Sequence, residues 1–465
     1  MSITNRFIRA SFWAAGTTYL FFAINFIGQI VMARLLVPKY FGLFAFVFAI
    51  REVISIFMGF SVSQAFIYSD GRQHDFNACI SLALITLGAF TLLGVLLFVP
   101  MVDFYGYQYG VMLVILCFSQ GVLNLANNYL APLEKALNYK CSSLLRGLAS
   151  SGSVFIAIMV AYSTRSIWSL GLRELLQALI LLMLAMKLGG FSFRLRFFTM
   201  KLKSKFHFGV KTAIANGMAI VYYRFADLFI HALFGQLLLG YFYQARYLSY
   251  LPIKLLKPFT QDVVFSYLTH YRHDIKALGQ QIYWLNYAAI RLMFPVVFVV
   301  YFFGADIFHL IYGTKWQSAG VLFSYSAILI MFSILYANLQ DACYSVGKQV
   351  YATQGYLLAL LFFAGLTLLF PSIAHAMMFF SLGFAFGYFY MVIRLLIHGA
   401  KFDALSLFLL PLLIAIIIYL LNHLLANRFW LATSFIFLYL AMLFVERDKV
   451  TALIRAAWKA VRKHD

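Results

Sequence analysis

Ionisable side chains interrupt stretches that are otherwise almost wholly apolar, and they are the residues best placed to do chemistry. Arg51 and Glu52 stand together, as do Arg173 and Glu174. Arg224 and Asp227 are three apart and so share a helix face. Arg146, Arg246, Arg291 and Asp341 also fall in or at the ends of apolar stretches. A bilayer-centre arginine costs about 2.5–3.5 kcal/mol even on the mild insertion scale. Facing a wet cavity or pairing with an acid removes much of that cost. Glu52 can offset Arg51 and Asp227 can offset Arg224, but Arg246, Arg291 and Arg146 have no acid nearby in sequence. Surplus guanidinium would attract a polyanion, and phosphate suits its planar fork of donors. Arg51, Arg224, Arg246, Arg291 and Arg146 are therefore candidate ligands for an anionic headgroup. Tyr222, Tyr223, Tyr241, Tyr243, Tyr247 and Tyr250 lie close by and offer faces and hydroxyls to sugar rings. Glu52, Asp227 and Asp341 are the candidates for proton or sodium coupling. Plainer readings stand beside these. Arg146 and Arg291 could snorkel to an interface, Arg224 with Asp227 could be a structural pair, and most tyrosines could be packing. A cavity role for Arg246 implies that Arg246→Ala removes transport and leaves protein abundance near normal.

Other chemistry is poorly represented. His270, His273 and Asp274 occur as HYRHD, with no further ligand in view, and read as a solvated polar loop. Cys79, Cys117, Cys141 and Cys343 form no CxxC pair, so no disulfide framework is indicated. GxxxxGK[ST] and GxSxG are both absent, which argues against a built-in ATPase or hydrolase. Neither an enzyme nor a cofactor or metal is expected.

The elements that must position these groups are membrane helices. The 465 residues are 64% hydrophobic and 11% charged, with 51 Phe and 30 Tyr, and the mean hydropathy is +0.88. Soluble chains carry about 25% charge. The runs are too long and unbroken for barrel strands. About fourteen stretches reach the roughly 20 residues that cross a bilayer: 11–33, 41–66, 77–99, 109–131, 142–162, 167–187, 208–231, 236–258, 283–304, 319–342, 350–371, 373–397, 403–423 and 429–445. The first follows the basic leader Met1 to Arg9 and reads as a retained helix, not a cleaved signal.

The net charge of +21 would suggest nucleic acid in a soluble protein. Here its distribution points to membrane lipid instead. With the N-terminus cytoplasmic, roughly 22 Lys and Arg fall on the inner side and about four on the outer, which is the cytoplasmic bias. Both termini are then inside. Val102–Tyr107 forms an acidic, aromatic outer loop, and the basic, Phe-rich linker from Lys187 to Lys205 lies along the inner leaflet. This linker divides the chain into a six-helix lobe at 1–190, the linker at 191–206 and a second six-helix lobe at 207–398. Two further helices occupy 399–445 and a basic cytoplasmic tail 446–465. Gly383 and Gly387 form a GxxxG suited to close helix packing.

Three motifs carry a family resemblance. The first is Ala33-Arg34-Leu35-Leu36-Val37-Pro38-Lys39-Tyr40-Phe41-Gly42. The second combines Asp227-Leu228-Phe229-Ile230, Leu239-Gly240-Tyr241-Phe242-Tyr243-Gln244-Ala245 and Leu251-Pro252. The third is Ile311-Tyr312-Gly313-Thr314-Lys315-Trp316-Gln317-Ser318-Ala319-Gly320. Together they resemble the polysaccharide-exporter branch of the multidrug/oligosaccharidyl-lipid/polysaccharide flippase superfamily, and within it the Wzx-type flippases of O-antigen and exopolysaccharide units. The positions that match family patterns are Arg34, Pro38, Gly42, Asp227, Gly240, Tyr241, Ala245, Gly313, Trp316 and Ala319. The resemblance implies a V-shaped, alternating-access pair of six-helix bundles in the bacterial inner membrane. It further implies a cargo of undecaprenyl-diphosphate-linked oligosaccharide, moved without any covalent change by a protein functional as a monomer. A polysaccharide polymerase and chain-length machinery are the implied partners. A multidrug antiporter would need an acid-lined cavity instead, and a glycan polymerase or ligase a large outer loop. The residues favour neither.

Overall fold

The computed structural model describes residues 3–58, 63, 66–67, 73–136, 138–188, 200–424, 428–452 and 455. The linker at 191–199 and the tail beyond 455 lie outside the described residues, as do residues 453–454. Every element is helical apart from short turns, so the chain is an all-α polytopic membrane protein. Ten helices among the described residues are long and apolar enough to cross a membrane, and Tyr19–Leu35 and Trp430–Val445 are shorter apolar helices.

The order begins α1 (Ile3–Leu35), α2 (Pro38–Met58), α3 (Gln73–Leu96), α4 (Phe98–Tyr105), α5 (Tyr107–Lys135), α6 (Tyr139–Thr164) and α7 (Trp168–Leu188). It continues with α8 (Met200–Ser249), α9 (Leu251–Thr269), α10 (Ile275–Tyr312), α11 (Gln317–Tyr325) and α12 (Ala327–Ser345). The last four are α13 (Gln349–Leu369), α14 (Ile373–Ile397), α15 (Ala404–Leu424) and α16 (Arg428–Val445).

Several boundaries differ from the sequence expectation, each for a local reason. The segment at Val102–Tyr107 is mostly helix. The third span runs on through α4 and stops only at Gly106, whose φ of 103° breaks the helical path while its N–H still reaches Val102 O. The eighth span, expected to 258, is interrupted at Tyr250, and Pro252 falls in the first turn of α9, where a missing N–H is tolerated. The tenth is interrupted at Ser326 between α11 and α12. The ninth grows to the 38 residues of α10, about 57 Å at 1.5 Å per residue and longer than a hydrocarbon core.

The chain packs as two compact units. One takes in residues up to Tyr247 with Asp306–Leu322 and Pro371–Ile373. Its apolar core lies among α3, α5, α6 and α7, where Phe76, Leu130, Leu145 and Leu181 are buried together. Arg146 is not stranded here: it donates to Glu134 (2.9 Å) and to Asn127 (2.6 Å). Ser142 donates to the same Glu134 oxygen.

The other unit holds Leu248–Ala305, Phe323–Phe370 and Ala374–Asp465. The GxxxG glycine Gly387 of α14 lies against Gly355 of α13. Under α15 and α16, Phe298 stacks on Phe435 with centroids 3.7 Å apart. Here the reading of residues 446–465 as a free cytoplasmic tail needs correction at its first residue. Glu446 is buried and receives Arg291 through Nε (2.8 Å) and Nη2 (2.7 Å), while the Tyr287 hydroxyl donates to it at 2.9 Å. Arg291 also donates to Leu407 O. Its partner stands 155 residues later, so inspection of nearby sequence could not find it. Burial favours the protonated acid at Glu446, but the bonds from Arg291 and Tyr287, with nearby Lys449, outweigh it and hold the carboxyl below its ordinary range.

In the first unit, α2 crosses the second half of α8 at two glycines. A Cβ on Gly42 would strike Gln236 O, and one on Gly240 would strike Pro38 O. Backbone cannot swing aside as a side-chain tip can. Gly240→Ala is therefore expected to cost about 1–3 kcal/mol by overpacking and to lower the melting temperature of detergent-purified protein. An unchanged melting temperature would show that the crossing has slack.

Candidate functional site

The family-type motif residues meet in space. Arg34, at the end of α1, donates from Nε to Ile311 O (2.8 Å) and from Nη2 to Leu310 O (2.6 Å). These carbonyls end α10, where a helix lacks its own donors and carries partial negative charge. Lys315 donates to Arg34 O, and the indole of Trp316 donates to Ala33 O at 2.8 Å. Phe41 and Tyr241 meet the Trp316 ring edgewise at 5.3 and 6.1 Å. Gly313, with φ 87°, turns the chain ahead of it. Pro38, Gly42, Gly240, Ala245 and Ala319 are buried around the same junction. Three loops expected on one side of the membrane thus form a single knot, and these motif positions are framework.

Asp227 is the exception, because it organises charge. Gly235, with φ 80°, breaks α8 and folds its second half back along the first. Arg246 thereby reaches Asp227, 19 residues earlier, at 2.5 Å, and donates to Tyr223 O at 3.2 Å. Arg224 takes the other carboxylate oxygen at 3.2 Å. Asp227 is fully buried and Arg246 nearly so. The expectation that Arg246 lacks a partner is therefore corrected, since the Gly235 turn supplies one.

Arg224 and Arg51 lie against one aromatic ring. The guanidinium carbons stand 4.6 and 4.1 Å from the Phe48 centroid, a cation–π arrangement. Arg51 donates to Glu52 at 2.6 Å and also to Gln120. Gln120 in turn donates to Asn124. The Nε of Arg51 is buried with no acceptor.

Arg173 differs from these. It donates through Nη1 to Gln29 at 2.9 Å, its Nε finds no acceptor, and among the described residues no carboxylate stands within ion-pair distance. With Glu174, Gln29, Phe48, Tyr243 and Tyr247 it lines a cavity of about 100 Å³ inside the first unit. Arg173 and Glu174 line this space; Arg51 and Arg224 lie against its Phe48 wall, and with Arg246, Glu52 and Asp227 they make up a cluster of four guanidiniums and three carboxylates. The balance is one net positive charge. The only guanidinium in that set without an acid partner is the one that faces the cavity.

Of the sequence candidates, the structure thus brings together Arg51, Glu52, Arg224, Asp227 and Arg246. Arg146 is neutralised by Glu134 elsewhere in the first unit, and Arg291 by Glu446 in the second. Asp341 is half-buried at the end of α12 in the second unit. Arg173, Gln29 and Phe48 were missed as site residues. Spacing did not single Arg173 out: Arg51 and Arg173 each precede a glutamate, and only the first pairs with it. Among the described residues no three His, Cys, Asp or Glu side chains gather as a metal site. The HYRHD loop is largely exposed, with Arg272 donating to His273.

A family model for a polysaccharide biosynthesis protein matches residues 31–320. No curated protein matches the chain by sequence. Among solved structures, the lipid II flippase MurJ in an inward closed conformation is similar, with a TM-score of 0.68 at 14% identity, covering 97% of this chain and 100% of that one. An inward-facing multidrug resistance MATE family transporter of the MOP superfamily has a TM-score of 0.61 at 12% identity, covering 80% and 94%. A MOP superfamily transporter from Pyrococcus furiosus, described as having a binding pocket of reverse polarity, has a TM-score of 0.51 at 10% identity, covering 85% and 96%. Identities this low establish a shared fold.

The double engagement of Asp227 revises the expected effect of mutation. Asp227→Asn leaves two guanidiniums without their counterion, and breaking a buried pair costs about 3–5 kcal/mol. Folded protein should fall sharply in Asp227→Asn and also in Arg246→Ala. The double variant Asp227→Asn with Arg246→Met should be milder than the sum of the two. Additive losses in thermal stability would show that the carboxylate is not shared.

Proposed function

The chain belongs to the polysaccharide biosynthesis protein family, and from that premise we propose that it flips a lipid-linked oligosaccharide with a diphosphate headgroup, without covalent change. The cargo class is undecaprenyl-diphosphate-linked glycan for O-antigen, capsule or exopolysaccharide. Its direction is from the cytoplasmic to the periplasmic leaflet of a bacterial inner membrane. The supporting fold is one shared with membrane transporters, including the lipid II flippase MurJ.

The observation that carries the reading is Arg173. An unpaired guanidinium beside a cavity in a membrane protein is costly, and an arriving phosphate would relieve that cost while accepting its free donor. Tyr243 and Tyr247 give the same cavity aromatic faces and hydroxyls. Arg51 and Arg224 flank it through Phe48 and add positive potential without being free ligands. The cavity is small beside an oligosaccharide, so the reading assigns it to the charged headgroup, with the prenyl chain left in lipid. The cationic excess works against a cationic drug as cargo.

The working architecture is two six-helix lobes, at 1–190 and 207–398, joined by a basic linker and followed by two helices at 399–445. Fourteen crossings would leave both termini cytoplasmic, and a V-shaped monomer would alternate access. A polymerase and chain-length machinery would act on the delivered glycan.

The test uses purified protein in vesicles carrying a fluorescent undecaprenyl-diphosphate glycan. Hydrogen bonds to charged groups are worth about 1.5–3 kcal/mol, so Arg173→Gln should slow translocation by roughly tenfold or more. Its melting temperature should stay near that of the parent, because no ion pair is broken. Unchanged transport in a folded Arg173→Gln protein would remove the headgroup assignment.

A further inference from the structure

The acids expected to couple transport to an ion are poorly suited to protons. Asp227 has each oxygen on a guanidinium, and Glu52 is held by Arg51. A different titratable group stands close to the clasp. His231 lies one helical turn beyond Asp227 in α8, on the same face. Its Nε2 is 3.1 Å from the Tyr109 hydroxyl of α5. Phe46 of α2 stacks on the imidazole at 3.9 Å, and Tyr105 of α4 and Tyr109 meet it edgewise at 5.6 and 5.8 Å.

We propose that His231 is a proton-binding site, built by Phe46, Tyr105 and Tyr109, through which pH on the Tyr105 side acts on the Asp227 clasp. The surroundings suit both charge states. A hydroxyl accepts from the protonated ring and can donate to the neutral one. The face of Phe46 attracts an imidazolium. Half-exposed Tyr105 sits at the rim, so the site is open to protons, while Tyr109 is buried beneath.

The surrounding elements carry, among other ionisable groups, Lys39, Tyr40, Arg51 and Glu52 on α2, Asp103 and Tyr105 on α4, Tyr107 and Tyr109 on α5, and Arg224, Asp227 and Arg246 on α8. Of these, Tyr105 and Tyr109 are the ones in contact with the ring, and a phenol ordinarily ionises near pH 10. A histidine titrates between about pH 5 and pH 8. Protonation would place a positive charge about 6 Å along the helix from Asp227, where it competes with Arg224 and Arg246 for that carboxylate. Proton binding would thus loosen the clasp beside the Arg173 cavity. This effect on transport rests on the flippase reading, whereas proton binding itself does not.

The experiment labels histidine nitrogen in the full chain in nanodiscs and follows imidazole resonances with pH. One resonance that titrates between about pH 5 and pH 8 should vanish in His231→Gln, and its midpoint should move in Tyr109→Phe. In vesicles with lipid-linked glycan, the parent's rate should vary with pH on one side only, and the ratio of rates at low and high pH should approach one in His231→Gln. A resonance that does not titrate overturns the site whatever the cargo. A titrating resonance with the same pH profile in parent and His231→Gln overturns the link to transport. Titration with no glycan movement in any variant supports the proton site and counts against the flippase reading. If His231→Gln fails to fold, the Tyr109→Phe midpoint decides: an unmoved midpoint overturns the site.

Discussion

A carboxylate shared by two guanidiniums inside a membrane helix hairpin is the constraint around which the first unit is arranged. Asp227 engages Arg224 and Arg246 at once, so neither half of α8 can leave the other without stranding charge in a low-dielectric interior. The rest follows from satisfying that charge. Gly235 permits the turn that brings Arg246 back. Phe48 lies against both Arg224 and Arg51. Gln120 and Glu52 complete Arg51. Arg173, the guanidinium of this cluster without an acid partner among the described residues, is positioned by Gln29 at the edge of the cavity.

The contrast between the framework knot and this polar cluster separates two jobs. At the knot, Arg34 and Trp316 address backbone carbonyls, and glycines allow α2 and α8 to touch. Such contacts specify shape, with the cations Arg34 and Lys315 spent on backbone carbonyls. In the cluster, guanidiniums meet side-chain acids and amides, and the carboxylates number one fewer than the guanidiniums. Family membership is written mostly in the first set, whereas the proposed anion preference rests on the second.

The membrane class was legible from composition and run length, because the bilayer imposes length and apolarity on each crossing. Element ends were less legible. Gly106, Tyr250 and Ser326 redirect helices through local backbone angles that hydropathy does not register. The candidate arginines were visible as anomalies, but their partners were not. Arg246 finds Asp227 through a turn and Arg291 finds Glu446 from the far end of the chain. Arg51 and Arg173 each precede a glutamate, yet the first swings round to its neighbour while the second turns away to Gln29. Sequence spacing could not decide between those rotamers.

The bond between Arg291 and Glu446 also orders events during synthesis. Arg291 leaves the ribosome 155 residues before the acid that neutralises it. Until Glu446, just past α16, has been made, its carboxylate is missing and the guanidinium has the Tyr287 ring and then the Leu407 carbonyl to meet. Completion of the last helix therefore closes the second unit, and a nascent chain halted short of residue 446 exposes an uncompensated cation for quality control to find.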